Sequence, residues 1–333
     1  MQVTVAIPTY GNRGSIFRLL TSLGTQSFKR FEIEVVFKHS NDRKADSETL
    51  DRIKDYSGLS INITKQKNGR IPEAMNIIFG VDSDIVINTD DDAFASRNWV
   101  KDHYEFHSKH KNVGMATGMV REDAEAKRAH SRINQMLNAQ KWRISNFTRI
   151  DPPIDSRFAD YGMYIGRSGM LVDTGRKHNL IRTFKQHGVN MSWKGDAMEG
   201  LGLPPYAPRG HRYEAYMALL IVRRGYHAVW FDKGINFHEM HASSSRGGGI
   251  TTVPFETILT DVLFSYYVSK FYKVDLNTLR LRTQISDTIA KAITLNRNQG
   301  YTRGYRIAYT AITGKWTPET VRKALLREIA TAK

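Results

Sequence analysis

The chain has 333 residues, of which 41% are hydrophobic and 25% charged, and it contains no cysteine. This length is enough to bury a sizeable core, and the lack of cysteine excludes disulfides, thiolate metal sites and a cysteine nucleophile. No apolar run reaches the roughly 20 residues that span a bilayer. The 49 lysines and arginines exceed the 33 acidic residues, giving a net charge of +16. Such a surface attracts nucleic acid, anionic lipid or phosphorylated substrates without choosing among them.

The first residues predict a cytoplasmic location. Residues 3–7 form a short β-branched run that ends at Pro8, and no basic region or long apolar segment precedes it. This pattern is typical of a buried strand rather than a signal peptide. A basic tail could additionally hold the protein at the cytoplasmic face of a membrane.

Strand and helix patterns alternate through the first 120 residues. Strands are predicted at residues 3–7, 31–37, 59–64, 84–88 and 113–120, with helices near 16–23, 47–56, 72–79 and 99–110. Such alternation predicts an α/β fold with crossover connections, a mostly parallel sheet and helices on both faces. Ligands of these sheets bind at the carboxyl ends of the strands. We therefore expect residues 8–10 and 90–92 to share one edge of the sheet.

The remaining chain divides into two further segments. Residues 121–250 are less regular, with a helix predicted at 214–224 and a strand at 226–231, whereas residues 251–333 have an all-helical pattern. The predicted division is therefore 1–120, 121–250 and 251–333. The tail carries an apolar stripe beside several basic residues, which is consistent with membrane contact or with packing, including packing in a homo-oligomer.

Three consecutive carboxylates, Asp90, Asp91 and Asp92, follow the fourth predicted strand. Adjacent carboxylates repel one another, and a divalent cation relieves that repulsion. Oxygen ligands suit Mg²⁺ or Mn²⁺, which usually bridge to substrate phosphates. Taken alone, the run could equally be an acidic turn that caps the helix beginning near Trp99.

The order of these motifs resembles family 2 glycosyltransferases of the GT-A fold. The resemblance rests on V-A-I-P-T-Y at residues 5–10, on Asn68, Ala74 and Asn76, and on the aspartate triplet at a strand end. It covers residues 3–120, and more weakly extends to about 245. It implies a Rossmann-like mixed, mostly parallel sheet, here followed by a helical C-terminal extension. Residues 1–120 would be the nucleotide-sugar-binding half and 121–250 the acceptor-binding half.

The same resemblance implies an activity. Family members transfer a sugar, with inversion, from a nucleotide donor to a hydroxyl acceptor, which here would be a glycan or a lipid-linked molecule. They use Mn²⁺ or Mg²⁺ held by an Asp-x-Asp motif. The implied metal ligands are Asp92, Asp90 and His238, the last because it follows a later strand. The implied donor-binding residues are Pro8, Thr9, Tyr10, Asn68, Asn76, Asp90 and Asp91, to which we add Arg13 and Arg70 as phosphate partners and Asp42 as a base partner.

An inverting transfer also needs a general base for the acceptor hydroxyl. The family supplies it from an acidic pair that opens a helix ending in Arg-x-x-Gly-Tyr. Here the corresponding helix ends at Gly225-Tyr226, and the positions of the pair hold Tyr213 and Glu214. Glu214 is the predicted base and Asp196 the alternative. A further departure is Lys38, which stands where the family has an acid that contacts the nucleobase.

Two other classes of function remain open from the sequence. The acidic triplet and the positive charge also fit a metal-dependent nuclease or nucleotidyltransferase, although no second acidic cluster accompanies the first and no nucleic acid is expected as a partner of the transferase. A non-catalytic module whose basic tail docks on acidic membranes is the third hypothesis.

Overall fold

The computed structural model describes residues 1–11, 14–122, 146–176, 178–238, 255–294 and 299–332. Eight strands form the central sheet, in the order β10-β12-β6-β11-β4-β1-β2-β3. Their bounds are β1 Val3–Tyr10, β2 Glu32–Lys38, β3 Ile61–Lys65, β4 Ile85–Asn88, β6 Val113–Thr117, β10 Leu180–Arg182, β11 Met191–Lys194 and β12 His227–Phe231.

The sheet is mixed and mostly parallel, as predicted. Strands β3, β2, β1 and β4 run parallel to one another, and β12 runs parallel to β6. Strand β11 lies antiparallel between β4 and β6, and β10 pairs antiparallel with β12 at the edge. Because β11 comes from the middle of the chain, the central sheet continues across the boundary predicted at residue 120. The division into segments stays a prediction.

Helices cover both faces of this sheet. The helices of the first part are α1 Ser15–Gly24, α2 Arg43–Lys54, α3 Ile71–Phe79 and α4 Trp99–Lys109, followed by α5 Gly195–Met198 and α6 Tyr213–Arg223. Alternate residues of β1 face opposite sides: Val5 and Ile7 share a buried cluster with α1, α2 and α4, whereas Ala6 shares one with α3 and α6. Every residue of β4 is buried, which is typical of a central strand covered on both faces.

The predicted helical tail is confirmed and packs on the α3 and α6 side of the sheet. It consists of α7 Phe255–Val268, α8 Leu276–Thr294, α9 Gly300–Thr313 and α10 Pro318–Thr331. Gly300 and Gly304 allow close approach of α9 to α7, since a methyl group on Gly304 would lie 3.0 Å from Val262 Cβ. The apolar stripe predicted for α7 is buried inside this packing. Among the described helices, none combines the length and hydropathy of a bilayer-spanning segment.

Two smaller β elements complete the fold. Strands β5 Ala93–Ala95, β13 Asn236–His238 and β7 Val120–Glu122 form a three-stranded sheet in the order β5-β13-β7, and β8 Met163–Ile165 pairs with β9 Leu171–Asp173. Strands β5 and β7 were not predicted as separate strands, because each has only three residues. The three-stranded sheet matters for function because it joins the end of the aspartate triplet to His238.

Candidate active site

The carboxyl ends of β1, β2, β3 and β4 lie at one edge of the sheet, because these strands are parallel and adjacent. Thr9 and Tyr10 end β1, and the aspartate triplet follows β4 after Thr89. The Thr9 hydroxyl donates a 2.5 Å hydrogen bond to Asp91 Oδ2. The motifs that the sequence placed at one edge are therefore in contact.

The outer two aspartates form a group with His238. Antiparallel pairing of β5 with β13 places Ala93 opposite His238, directly after Asp92. His238 Nε2 lies 3.2 Å from Asp92 Oδ1 and 4.0 Å from Asp90 Oδ2. One ligand atom from each of the three residues lies within 4.8 Å of the others. Asp90 is at the rim, with 44% of its side chain exposed, and Asp92 is deeper, with 12% exposed.

This group fits a divalent cation. Two carboxylate oxygens and one imidazole nitrogen make a donor set that suits Mn²⁺, and the oxygens alone suit Mg²⁺. Burial, followed by repulsion from Asp92, raises the pKa of Asp90 to about 7, while the His238 ring acts in the opposite direction. A cation bound here would remove the carboxylate repulsion that raises this pKa.

Glu214 lies in the first turn of α6 and faces the same region. The backbone N–H groups of Glu214 and Gly188 favour its charged form. Burial raises the pKa of Glu214 to about 7, with a further contribution from Asp90, while Arg212 opposes the shift. A carboxylate with a pKa near neutrality suits a general base.

The C-terminal helices hold the start of α6 through ion pairs. Arg212 precedes α6 in the left-handed conformation (φ 68°), and its Nε lies 2.6 Å from Asp261 Oδ1 of α7. Arg209 pairs in the same way with Glu256, at 3.0 Å. These two ion pairs attach the loop that precedes Glu214 to the helical tail.

Asp196, the alternative base, lies at the other end of the sheet. Its neighbour Lys194 pairs with Ile85, the first residue of β4, and Gly195 N–H donates to the Asp84 carbonyl. The Asp196 carboxylate accepts a 3.2 Å hydrogen bond from Tyr226. Because the aspartate triplet follows the last residue of β4, the structure does not bring Asp196 to the candidate site.

The sequence comparison assigns the family. The model of glycosyl transferase family 2 matches residues 4–165 of the chain, which include both strand-end motifs. Residues 4–165 belong to glycosyl transferase family 2. Among curated protein sequences, none gives a significant match.

Solved glycosyltransferase structures share the fold of the whole chain. The Pyrobaculum calidifontis mannosyltransferase PcManGT, solved with GDP-Man and Mn²⁺, superposes with a TM-score of 0.53 at 14% identity, covering 99% of this chain and 85% of that one. A Staphylococcus aureus TarS fragment, residues 1–349 with UDP-GlcNAc, gives 0.55 at 13% identity, covering 99% and 89%. These similarities extend over the helical tail and confirm the expected GT-A architecture.

The predicted donor-binding residues separate into two groups in the structure. Pro8, Thr9 and Tyr10 lie at the carboxyl edge, with Tyr10 48% exposed. Asn68 and Arg70 are exposed in the loop between β3 and α3, where Gln66 donates hydrogen bonds to both of their carbonyl oxygens. This loop belongs to the same edge, so these five side chains remain candidates for the donor. Arg13 lies outside the described residues.

Asn76 and Asp42 have other partners. The Asn76 side-chain amide donates to the Leu203 carbonyl at 3.0 Å and accepts from the Leu203 N–H at 2.7 Å, so it ties α3 to a loop 127 residues away. Asp42 caps α2 by accepting from Ala45 N–H, and its side chain is exposed. The structure supports a structural role for both residues.

Two residues at this edge were missed as site candidates. Asp46 is fully buried and accepts hydrogen bonds from the N–H (2.6 Å) and hydroxyl (2.9 Å) of Ser40, which fixes the loop after β2. Its position on the same face of α2 as Leu50 and Ile53 was a usable signal for an inward-facing acid. Lys38, noted only as a departure from the family, donates to the Gly69 carbonyl and lies 5.7 Å from the centre of the Tyr10 ring.

Proposed function

We propose that this protein is an inverting, cation-dependent glycosyltransferase that moves a sugar from a nucleoside diphosphate to a hydroxyl acceptor. The observation that carries the proposal is the group of Asp90, Asp92 and His238 at the carboxyl edge of the sheet, with Glu214 near enough to interact with Asp90. We call the space between Asp90 and Glu214 the recess. The family match supports glycosyl transfer. The positions of the four side chains support a bound cation and a general base.

Asp92, Asp90 and His238 would hold Mn²⁺ or Mg²⁺. When bound, the cation supplies positive charge that stabilises the departing diphosphate as a Lewis acid. The imidazole nitrogen favours Mn²⁺, since Mg²⁺ prefers an all-oxygen shell. The bound Mn²⁺ of the archaeal mannosyltransferase, which has the same fold, supports this choice.

Glu214 would accept the proton of the acceptor hydroxyl as that oxygen attacks the sugar. The nearby backbone N–H groups favour the ionised carboxylate, and its pKa near 7 keeps a large fraction ionised at neutral pH. A single base of this kind fits inversion, in which the acceptor attacks directly and no sugar is attached to the enzyme.

The donor would lie along the edge between Tyr10 and Asp90. Two proteins of the same fold bind GDP-Man and UDP-GlcNAc, which supports a nucleotide-sugar donor here. The Lys38 ammonium group can donate a hydrogen bond but cannot accept one. We therefore expect Lys38 to recognise a nucleobase through a carbonyl oxygen. The acceptor, a glycan or a lipid-linked molecule with a hydroxyl group, would bind beside Glu214. The middle segment of the chain, residues 121–250, would form its binding site.

Membrane contact and homo-oligomer formation stay predictions. Because the apolar stripe of α7 is buried, membrane contact or oligomer formation would need another surface of the tail. Exposed apolar side chains of the tail are Leu281, Tyr309 and Leu326. A cytoplasmic location, likewise, stays a prediction.

Nucleotide binding tests the proposal directly. Thermal unfolding would be followed with GDP, UDP, CDP or ADP, each with and without Mn²⁺, followed by turnover of the matching sugar nucleotide. One diphosphate is expected to stabilise the protein only when Mn²⁺ is present, by about 2.7 kcal/mol at a hundred times its Kd. Failure of all four to bind, together with Mn²⁺-dependent cleavage of DNA or RNA, would instead favour the nuclease hypothesis.

A further inference from the structure

Tyr213 places a phenol hydroxyl beside the candidate base. The residue precedes Glu214 at the start of α6 and is 6% exposed. Both side chains end beside Gly188, since a methyl group on Gly188 would lie 2.8 Å from Tyr213 Oη and 3.1 Å from Glu214 Oε1. Tyr213 and Glu214 both interact electrostatically with Asp90. The hydroxyl therefore faces the recess and not the interior of the helical tail.

The Tyr213 hydroxyl makes no hydrogen bond with any residue that the structure describes, unlike three other buried tyrosines of this protein. Tyr164, Tyr266 and Tyr267 each donate to a backbone carbonyl oxygen. The fully buried side-chain atoms without a partner in the described residues include Tyr206 Oη but not Tyr213 Oη, so the Tyr213 oxygen is accessible from the recess. A ligand that enters the recess would supply the missing partner.

The chemistry of the phenol defines the kind of partner. Burial, together with the Glu214 and Asp90 carboxylates, raises the pKa of Tyr213 well above its usual value. The hydroxyl therefore keeps its proton at working pH and can donate a hydrogen bond to a neutral oxygen. Sugar hydroxyl and ring oxygens are acceptors of this kind.

Gly188 is needed for space and not for backbone conformation. Gly188 does not have a positive φ, so the backbone conformation at this position would accept an alanine. Its carbonyl accepts a 2.5 Å hydrogen bond from the fully buried Asn88, the last residue of β4. Gly188 is thus fixed against the sheet, and an added methyl group would displace Tyr213 Oη or the Glu214 carboxylate.

We propose that Tyr213 is a further substrate-binding residue, whose hydroxyl donates a hydrogen bond to an oxygen of the sugar held between Asp90 and Glu214. Gly188 lacks a side chain so that this hydroxyl and the Glu214 carboxylate can both reach the sugar. The inference rests on the proposed function. It adds a sugar contact at the position where the family pattern has an acid.

Tyr213→Phe tests the inference by removing one oxygen. The probes are GDP-mannose and UDP-GlcNAc, each compared with its free diphosphate in the presence of Mn²⁺. In the wild type, the sugar nucleotide that matches the protein should bind more tightly than its diphosphate. In Tyr213→Phe this excess affinity should fall about tenfold and donor turnover about 10- to 100-fold, while the Kd of the diphosphate and the melting temperature stay unchanged.

The outcomes separate the inference from the proposed function. Unchanged turnover and unchanged sugar-nucleotide affinity in Tyr213→Phe would overturn the inference alone. A wild type that binds none of GDP, UDP, CDP and ADP in the presence of Mn²⁺, and turns over none of the matching sugar nucleotides, would overturn the proposed function, and the inference with it. Tyr266→Phe is the matched control: it deletes a hydroxyl that bonds only the Trp316 carbonyl and should lower stability without lowering turnover below its melting temperature.

A second pair of variants tests the geometry without any substrate. Gly188→Ala should lower the melting temperature, because its methyl group would lie too close to Tyr213 Oη. Combining it with Tyr213→Phe should recover most of that loss. If the double variant were no more stable than Gly188→Ala, the hydroxyl would not occupy the space beside Gly188 and the inference would fail.

Discussion

The Thr9 hydroxyl donates to the Asp91 carboxylate, and this bond joins the ends of two adjacent parallel strands. Asp91 is 7% exposed, whereas Asp90 and Asp92 face the recess together with His238. The triplet therefore has two tasks. Its middle member supports the edge of the sheet, and its outer members form the candidate cation site.

Asp92→Asn should remove the effect of Mn²⁺ on nucleotide binding. An amide keeps the size of the side chain but has no charge to offset the cation, and it cannot pair with His238 as a carboxylate does. We expect the Mn²⁺-dependent part of diphosphate affinity, measured by calorimetry, to fall at least tenfold. The matched control is Asp51→Asn on the exposed surface of α2, where the carboxylate contacts only Lys54. Retention of Mn²⁺-dependent binding in Asp92→Asn would contradict the assignment of this residue.

Glu214→Gln should abolish the acidic limb of the pH–rate profile. The base acts only when ionised, so the wild-type rate at saturating Mn²⁺ should rise with pH through about 7 and then level off. The glutamine variant cannot take a proton, and its rate should be about 10²- to 10⁴-fold lower and independent of pH in this range. Substrate affinity should change little.

Asp196→Asn separates the two base candidates. Asp196 lies at the end of the sheet where β4 begins, opposite the edge that holds the candidate site. Its amide variant should therefore keep both the wild-type rate and the wild-type pH profile. A large loss of rate in Asp196→Asn, with normal activity in Glu214→Gln, would reverse the assignment.

The sequence was informative where the determining interactions are local. Apolar runs such as residues 85–87 and the order of the strand-end motifs were sufficient to predict the parallel part of the sheet and the edge that holds Asp90 and Thr9. The roles of single polar residues were harder to predict, because their partners are distant in the chain. Asn76 contacts Leu203, and Arg282 contacts Asp151 across 131 residues. Neither partner is visible from spacing or composition.

Arg282→Met should destabilise the protein strongly. Arg282 Nη1 lies 2.7 Å from Asp151 Oδ2, and the two side chains are only 5% and 0% exposed, so the tail is joined to the β8–β9 region by a buried ion pair. Removing the cation leaves a buried carboxylate with only its hydrogen bonds to Ser168. Breaking such pairs costs about 3–5 kcal/mol, which urea unfolding would measure.

The control for this prediction is Arg157→Met. Arg157 forms a similarly short pair with Asp155, at 2.6 Å, but its side chain is 74% exposed. Exposed pairs contribute little because water and salt screen them, so this variant should unfold at the wild-type urea concentration. Equal losses in the two variants would show that burial does not determine the strength of the Arg282 pair.

Stability should fall as the pH drops below about 6.5, because four buried or half-buried histidines remain neutral in the folded state. They outnumber the two carboxyl groups, Asp90 and Glu214, whose pKa values are raised to about 7 and which stabilise the folded state as the pH falls. His103 and His107 of α4 are fully buried and both contact the Ser192 hydroxyl. Burial lowers the pKa of His103 to about 4 and that of His107 to about 3. Between the unfolded pKa near 6.5 and these values only the unfolded state binds the protons, so each histidine should cost about 1.4 kcal/mol per pH unit. Burial lowers the pKa of His187 and His211 in the same direction.

His103→Gln measures how much one histidine contributes to the pH dependence of stability. Chemical unfolding at pH 7.5, 6.5, 5.5 and 5.0 gives the slope of the free energy of unfolding against pH, and the comparison of slopes is unaffected by a constant loss of stability. The slope between pH 6 and 5 should decrease by about one proton relative to the wild type. His178→Gln, at an exposed position, should leave the slope unchanged. An unaltered slope in His103→Gln would mean that this imidazole becomes protonated in the folded protein, which its complete burial opposes.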